Sequence, residues 1–280
     1  MTPHASLPVH KPTPQQQELI ERIAGFLQGE PCVQSAYLSG SLGKGRGDAF
    51  SDVDVLVVTA DGAAVSASAS IATRIGRIAE PVLVNALFGG RVLNVVTEDW
   101  RRFDLSFAEE RELSFHDGGA LVELFHRGGA RPGFRPPRPY RTDAVTVRRL
   151  VDEFLRVCGL SVVAIGRGEH LLMLTGIHLL RQMTMDLMLE ENGVGPAERG
   201  GALHRNPFLT ADQRAALEAV PPLVATAESA LAAQVYLTGV FLPRARRLAA
   251  EVGMDWPVAF EEATKRHLEK AIGLRWPQAE

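Results

Sequence analysis

The sequence predicts an α+β protein with a strand-rich first part and an all-helical second part. Three observations carry this. Between Val33 and Phe125 the apolar residues fall into short alternating or continuous runs, such as VQSAYL, DVDVLVV, PVLVNALF, RVLNVVT and RRFDLSF, bounded by Gly, Pro and Asp. From Val145 onward they recur with a period near 3.6 almost to the end of the chain. Between the two patterns lies RPGFRPPRPYR, residues 131–141, whose four prolines admit neither a helix nor a central strand. The expected organisation is therefore a first domain over 1–130, a Pro/Arg-rich linker over 131–141 and a helical domain over 142–280. A length of 280 residues agrees, because single cores usually stop growing at about 100 to 200 residues.

In chain order, PQQQELIERIAGFLQG after Thr13 places Leu19, Ile20, Ile23, Phe26 and Leu27 on one helical face, with Gly29 as its stop. VQSAYL is a short strand that breaks at Gly40 into SLGKGRGDAFS, a loop with four glycines in eight positions. DVDVLVVTA is a second, deeply apolar strand. Residues from about Gly62 to Glu80 read as a helix of small residues, three further strands follow from Pro81, and Leu121–Phe125 adds a short one. The second part divides into helices over Val145–Arg167, Leu171–Glu191, Thr210–Ala219, Leu223–Val252 and Pro257–Gly273, with Pro243 expected to kink or divide the fourth.

Composition excludes several classes. With 46% hydrophobic and 22% charged residues, the chain matches ordinary globular domains and not a disordered or fibrous protein. Thirty Lys and Arg against 33 Asp and Glu leave a formal charge of -3, so no global basic field would hold an extended nucleic acid. Cys32 and Cys158 form neither a disulfide framework nor a metal-ligand spacing, and the eight histidines show no HExxH or Cys/His pairing, so a zinc site is rejected. The polar, Pro-rich first residues resemble no signal peptide or anchor, and a cytoplasmic protein without membrane contact is expected.

The chemistry is concentrated around Gly40-Ser41, the glycine loop, and Ser51-Asp52-Val53-Asp54 at the entry to an apolar strand. Side chains alternate along a strand, so Asp52 and Asp54 project from one face about 7 Å apart. Two like charges that close call for a cation. Asp104, inside RRFDLSF, supplies a third carboxylate if its strand lies beside the first. Hard oxygen ligands of this kind select magnesium, or manganese, over zinc. Backbone N–H groups of the glycine loop and the Ser41 hydroxyl suit phosphate oxygens, and Lys44 and Arg46 could neutralise phosphate charge. Other phosphate loops fit poorly. Lys44 is followed by Gly45 and the loop leads to a strand, against a Walker A motif, and Gly43, Gly45 and Gly47 are spaced GxGxG before a strand, against a dinucleotide fingerprint.

Gly40-Ser41, a loop of about ten residues, Ser51-Asp52-x-Asp54 and the later strand residue Asp104 resemble the nucleotidyltransferase superfamily that includes polymerase beta, and within it the small antibiotic nucleotidyltransferases acting on aminoglycosides or lincosamides. The resemblance covers roughly Thr13 to Gly129. It implies a mixed sheet flanked by helices, in which Asp52, Asp54 and Asp104 are catalytic and hold magnesium, while Gly40, Ser41, Lys44, Arg46 and Ser51 bind the nucleotide. The implied reaction moves a nucleoside monophosphate from a nucleoside triphosphate, ATP by first choice, to a hydroxyl of a small molecule with release of pyrophosphate. Asp104 is the first candidate for general base and Glu153 the second. Residues 142–280 would then bind the acceptor. Two alternatives stay open: nucleotidylation of a protein or an RNA end in an antitoxin-like role, and a nucleotide-binding regulator without turnover. A homodimer is also left open.

The helical part is less informative. His178, Arg181, Gln182 and Asp186 form a polar set at helical spacing, read first as a solvated face. Asp186, Glu190, Glu191 and Glu198 cluster near a Gly-rich turn that a cationic aminoglycoside would find attractive. Yet residues 141–280 hold 16 Lys and Arg against 17 Asp and Glu, so bulk charge singles out no cationic acceptor.

Overall fold

The computed structural model describes residues 11–128, 133–136, 139–196, 198–199 and 204–276. They divide into two compact units, Met1–Arg138 and Pro139–Glu280. In the first unit, helix α1 (Pro14–Gln28) starts where Thr13 and Gln16 form a capping box, each side chain accepting from the other's backbone N–H. Strand β1 (Val33–Leu38) leads into a one-turn helix α2 (Gly40–Gly43), then β2 (Val53–Thr59), α3 (Ala64–Ala72), β3 (Pro81–Leu87), β4 (Val92–Thr97), β5 (Arg102–Glu109) and β6 (Val122–His126). The small-residue helix is thus shorter than its sequence pattern suggests, ending at Ala72 and resuming only as a 3-10 turn over Ile75–Arg77. The start of the glycine loop is helical, not extended.

The six strands run in the order β3-β4-β5-β2-β1-β6. All neighbours are antiparallel except β2 and β5, which are parallel, so the sheet is mixed. One face is covered by α1 and α3. Leu19, Ile20, Ile23 and Leu27 of α1 and Ala64, Ala67 and Ile71 of α3 bury against Val53, Val55 and Val57 of β2 and Phe103, Leu105 and Phe107 of β5. Alternation sends the even-numbered residues of β2 and β5 to the other face, where Leu56, Val58 and Ala108 join Tyr37, Leu113, Leu121 and Phe134 in a smaller cluster. Phe134, from the Pro/Arg-rich segment, stands edge-on to Tyr37 at 5.1 Å, so this part of the expected linker packs on the first unit.

The second unit is helical: α4 (Ala144–Gly166), α5 (His170–Glu191), α6 (Ala211–Glu218), α7 (Ala227–Glu251) and α8 (Val258–Ile272). Two sequence expectations are corrected. Leu223–Thr226 is not helical, because Thr226 caps α7 by accepting from the Ser229 N–H. Pro243 lies inside α7 without dividing it. Its place within a helix of 25 residues is supported by packing, with Phe241, Leu242 and Ala245 all buried around it. The core centres on Phe154 and Phe241, whose rings stack at 3.8 Å. Among the described residues, no helix is long and apolar enough to cross a membrane.

Two ion-pair centres tie these helices together. At the end of α5, Glu190 is buried and accepts from the Tyr140 hydroxyl at 2.7 Å and from Arg199, while Glu191 pairs with Arg244 and Arg247 at 2.8 and 2.9 Å. On α8, buried Glu261 accepts from Trp256 Nε1 at 2.6 Å, Arg246 at 2.5 Å and Lys265 at 3.0 Å. Burial pushes the Glu261 carboxyl up, but the Trp256 and Lys265 hydrogen bonds and the Arg246 charge outweigh it and hold the group below the usual range. A carboxylate lowered on folding stabilises above its unfolded value, about 4.3, and that contribution is lost as pH falls below it. Glu261→Gln should therefore lower the melting temperature at pH 7, leaving Arg246 unpaired, and the gap to wild type should narrow toward pH 3. A gap constant between those pH values would show that Glu261 acts by packing alone.

Candidate functional site

The parallel pairing of β2 with β5 places Asp54 level with Asp104, between Val53↔Phe103 and Val55↔Leu105. Both carboxylates point to the face opposite α1 and α3, because their odd-numbered neighbours fill the core. Asp52 lies two residues before Asp54, just ahead of the strand. β5 is an interior strand, between β4 and β2. The partner of Asp104 is Asn94 on β4, whose Nδ2 donates to Asp104 Oδ1 at 2.7 Å.

The three charges act on one another. Burial, then the charges of Asp52 and Asp104, push Asp54 up to about 7, against the opposing pull of Lys44 and Arg102. Asp104 is also raised, by burial and then by Asp52, with the Asn94 hydrogen bond and Arg102 working in the other direction. Asp54 and Asp104 on one sheet face, with the charge of Asp52 bearing on both, offer hard oxygen donors, and a divalent cation is the species that would favour their ionised forms. Among the described residues no three metal-ligating side chains form a ready-made cage.

The glycines of α2 and of the loop that leads to β2 also serve close packing. A Cβ on Gly40, where φ is +60°, would stand 1.8 Å from Asp54 Oδ2. One on Gly43 would meet the Leu38 carbonyl oxygen at 2.5 Å, and one on Gly47 the Leu42 side chain at 2.3 Å. These glycines let α2 and its loop approach β1, β2 and Leu42. Ser41 lies within α2, and Lys44, next along, carries its charge toward Asp54. Arg46 donates its backbone N–H to the Ser41 carbonyl at 2.8 Å. The Ser51 hydroxyl is engaged inside the loop, accepting from the Asp48 N–H at 2.9 Å and donating to Asp48 Oδ1 at 3.0 Å.

Three residues that the sequence did not single out complete the site. Gln16 is buried on α1, and its Nε2 donates to the carbonyls of Asp48 and Ser51 at 2.8 and 2.9 Å, fixing the approach to Asp52. Arg102 directs its charge at Asp54 and Asp104 while its Nη2 donates to the Phe50 carbonyl at 2.9 Å. Asn94 was the most legible of them, as a polar residue interrupting the apolar run of RVLNVVT. Gln16 and Arg102 are recognisable only once the chain is folded.

The sequence candidates in the second unit stand differently. Glu153 is held by both nitrogens of Arg156 at 2.6 and 2.7 Å, and that hydrogen bonding keeps its carboxyl below the usual range, which makes it a poor proton acceptor. Asp186 accepts from Arg205 at 2.9 Å and Gln182 at 3.3 Å. With Glu190 and Glu191 also bound to arginines, the acidic cluster is largely neutralised within the fold and offers little attraction to a cationic ligand. A cavity of about 900 Å³ lies elsewhere in this unit, lined among others by Arg148, Arg149, Asp152, Glu153, Met254 and Phe260.

A mixed sheet carrying Asp54 and Asp104 in register, with the Gly40-Ser41 turn against β2, has the design of a nucleotidyltransferase domain. Residues 19–112 match the family model of that domain, so this part of the chain carries a nucleotidyltransferase domain, as its resemblance to the polymerase beta superfamily implied. The fold is similar to that of an aminoglycoside 6-adenyltransferase from Bacillus subtilis, at 14% identity over 90% of this chain and 95% of that one, with a TM-score of 0.40. It is similar also to a nucleotidyltransferase-like protein from Exiguobacterium sibiricum, at 15% identity over 92% and 88% of the two chains, TM-score 0.36. A CCA-adding enzyme from Thermotoga maritima shows 12% identity over 96% and 94%, TM-score 0.33. No curated protein matches the sequence.

Proposed function

We propose that the protein transfers a nucleoside monophosphate, from ATP by preference, to a hydroxyl of a small molecule and releases pyrophosphate, with magnesium or manganese bound by Asp52, Asp54 and Asp104. The observation that carries this reading is the in-register pair Asp54 and Asp104 on parallel neighbouring strands, with the charge of Asp52 bearing on both. The bound ion would neutralise charge developing on the transferring phosphoryl group and its leaving oxygen. The chain's own residues do the rest. Ser41 and Lys44 draw the outer phosphates toward the α2 turn. Asp104, raised by burial, accepts the proton of the acceptor hydroxyl, and Asn94 holds that carboxylate in place. Arg102 offsets negative charge at the same end of the sheet.

The helical unit takes the acceptor in this reading, and its cavity is the first place to look. An aminoglycoside or lincosamide antibiotic is the first acceptor class to try, although the pairing of the acidic cluster with arginines gives a polycationic drug no special advantage. The test is pyrophosphate release from ATP, GTP, CTP and UTP with magnesium, against aminoglycosides, lincosamides and small polyols, with mass spectrometry on each acceptor. Acceptor-dependent release with a nucleoside-monophosphate mass gain is expected. Nucleotide binding without release across the panel would move the reading to a protein or RNA acceptor, or to a regulator without turnover. Asn94→Leu should lower kcat by about 10- to 100-fold, the usual effect of losing a group that orients a ligand residue, with KM for the nucleotide nearly unchanged. An unchanged kcat would remove Asn94 from the machinery.

A further inference from the structure

At the mouth of the site, where β2 and β5 begin, two aromatic side chains stand in solvent: Phe50 is 86% exposed and Trp100 76%. Their backbones are fixed. The Phe50 N–H donates to Asp48 Oδ1 at 2.9 Å and its carbonyl accepts from Arg102 at the same distance. Trp100 closes the β4–β5 turn by donating its N–H to the Thr97 carbonyl at 2.9 Å, and Asp99 braces that turn through Thr97 at 2.5 Å and Arg101 at 2.7 Å. Trp100 sits at φ +60°, a left-handed conformation that a bulky side chain rarely adopts. A turn that needs only this geometry would be served better by glycine. The tryptophan is therefore unfavourable to the local backbone and contributes little burial in return, which points to work done by its ring.

Topology says where that ring is. Asp54 pairs with Asp104, and Phe50 and Trp100 each lie four residues ahead of one of them, beside the ends where the parallel strands β2 and β5 begin, within the roughly 13 Å that four residues can span. Arg102 spans the interval, with its charge on Asp54 and Asp104 and its Nη2 on the Phe50 carbonyl. Lys44 and the α2 turn, packed on β1 and β2, draw a triphosphate from the other side. A nucleotide anchored there by its phosphates and centred on the aspartates leaves its base on the side of β5. We infer that Phe50 and Trp100 form the nucleobase platform of the active site, stacking the base of the donor nucleotide. Stacking uses the π-face common to all bases, so this platform supplies affinity for the nucleoside with little discrimination among the four.

The inference rests on the proposed transferase reading, and the experiment separates the two. Intrinsic tryptophan fluorescence of the full chain is titrated with ATP, GTP, CTP and UTP in magnesium, and with inorganic tripolyphosphate, which has no base. Trp100 is the most exposed of the three tryptophans, since Trp276 is buried and Trp256 lies under Arg246, so nucleotides should quench emission and tripolyphosphate should not. Trp100→Gly should weaken binding of all four nucleotides by roughly 5- to 150-fold, the fold-change expected for one lost stack. It should leave tripolyphosphate affinity unchanged, and its melting temperature should equal or exceed that of wild type because the positive φ is relieved. Trp100→Tyr should recover most of the affinity, and Phe50→Ala should show a smaller loss of the same kind. Turnover with unaltered nucleotide affinity in Trp100→Gly would overturn the platform and leave the transferase standing, as would a rise confined to the acceptor KM. Failure of the wild-type chain to bind any nucleotide would overturn both.

Discussion

Asp54→Asn is expected to lower acceptor-dependent pyrophosphate release by at least about 1000-fold, on the order of 4 kcal/mol of transition-state stabilisation. The substitution preserves shape and removes one charge from the group of three that would hold the cation. Its effect on folding should be opposite in sign. Asp54 is half-buried beside Asp52 and Asp104, and the fold keeps these like charges together against their repulsion. In metal-free buffer the variant should melt no lower than wild type. Activity and stability thus move in different directions, which no general misfolding can imitate. A variant that keeps near-wild-type turnover would withdraw Asp54 from the mechanism, and one that loses activity together with its folded state would leave Asp52→Asn as the deciding substitution.

Gly40→Ala should be nearly as damaging, although it adds a single methyl group and removes no charge or hydrogen-bonding group. The new Cβ would overlap Asp54, at 1.8 Å from Oδ2 and 2.5 Å from Cγ, and would sit at φ +60°. Asp54 is held in an interior strand by pairing on both sides, so its side chain or α2 must move. A displacement near 1 Å at a reacting centre is worth about 100-fold in turnover, and the left-handed backbone adds a cost of about 1 to 2 kcal/mol to folding. Gly62→Ala is the matched control. Gly62 has φ +80°, and a Cβ there would meet nothing within 4 Å, so the substitution bears the backbone cost without the clash. Equal turnover losses in the two variants would show that strain, not the approach to Asp54, matters at Gly40.

The elements legible in advance were those whose signal is local. The apolar spacing after Thr13 marks the first helix wherever it later packs, and the period of 3.6 from Val145 onward yields the helices of the second unit almost residue for residue. Where prediction slipped, a longer-range contact intervened. α7 continues through Pro243, whose neighbours Phe241, Leu242 and Ala245 are buried. The acidic residues at the end of α5, attractive to a cationic ligand in isolation, are paired with Arg199, Arg205, Arg244 and Arg247, the last two more than fifty residues away. Gly40, Gly43 and Gly47, read in the sequence as letting backbone N–H groups approach phosphate, also lie where the backbone packs closely against other groups, which no local pattern shows.

The sequence alone determined the fold class and put forward Asp52, Asp54 and Asp104 as candidates from their spacing and apolar surroundings. Those features depend on composition and spacing along one stretch of chain. Only the tertiary structure decided that β5 lies parallel to β2 with Asp104 level with Asp54, that Asn94 and Arg102 attend those carboxylates, that Gln16 ties down the loop, and that Phe50 and Trp100 flank one mouth. Each of these relates residues far apart in sequence, and sheet order, which brings them together, is set by how α1 and α3 bury one face of the sheet and not by any local preference.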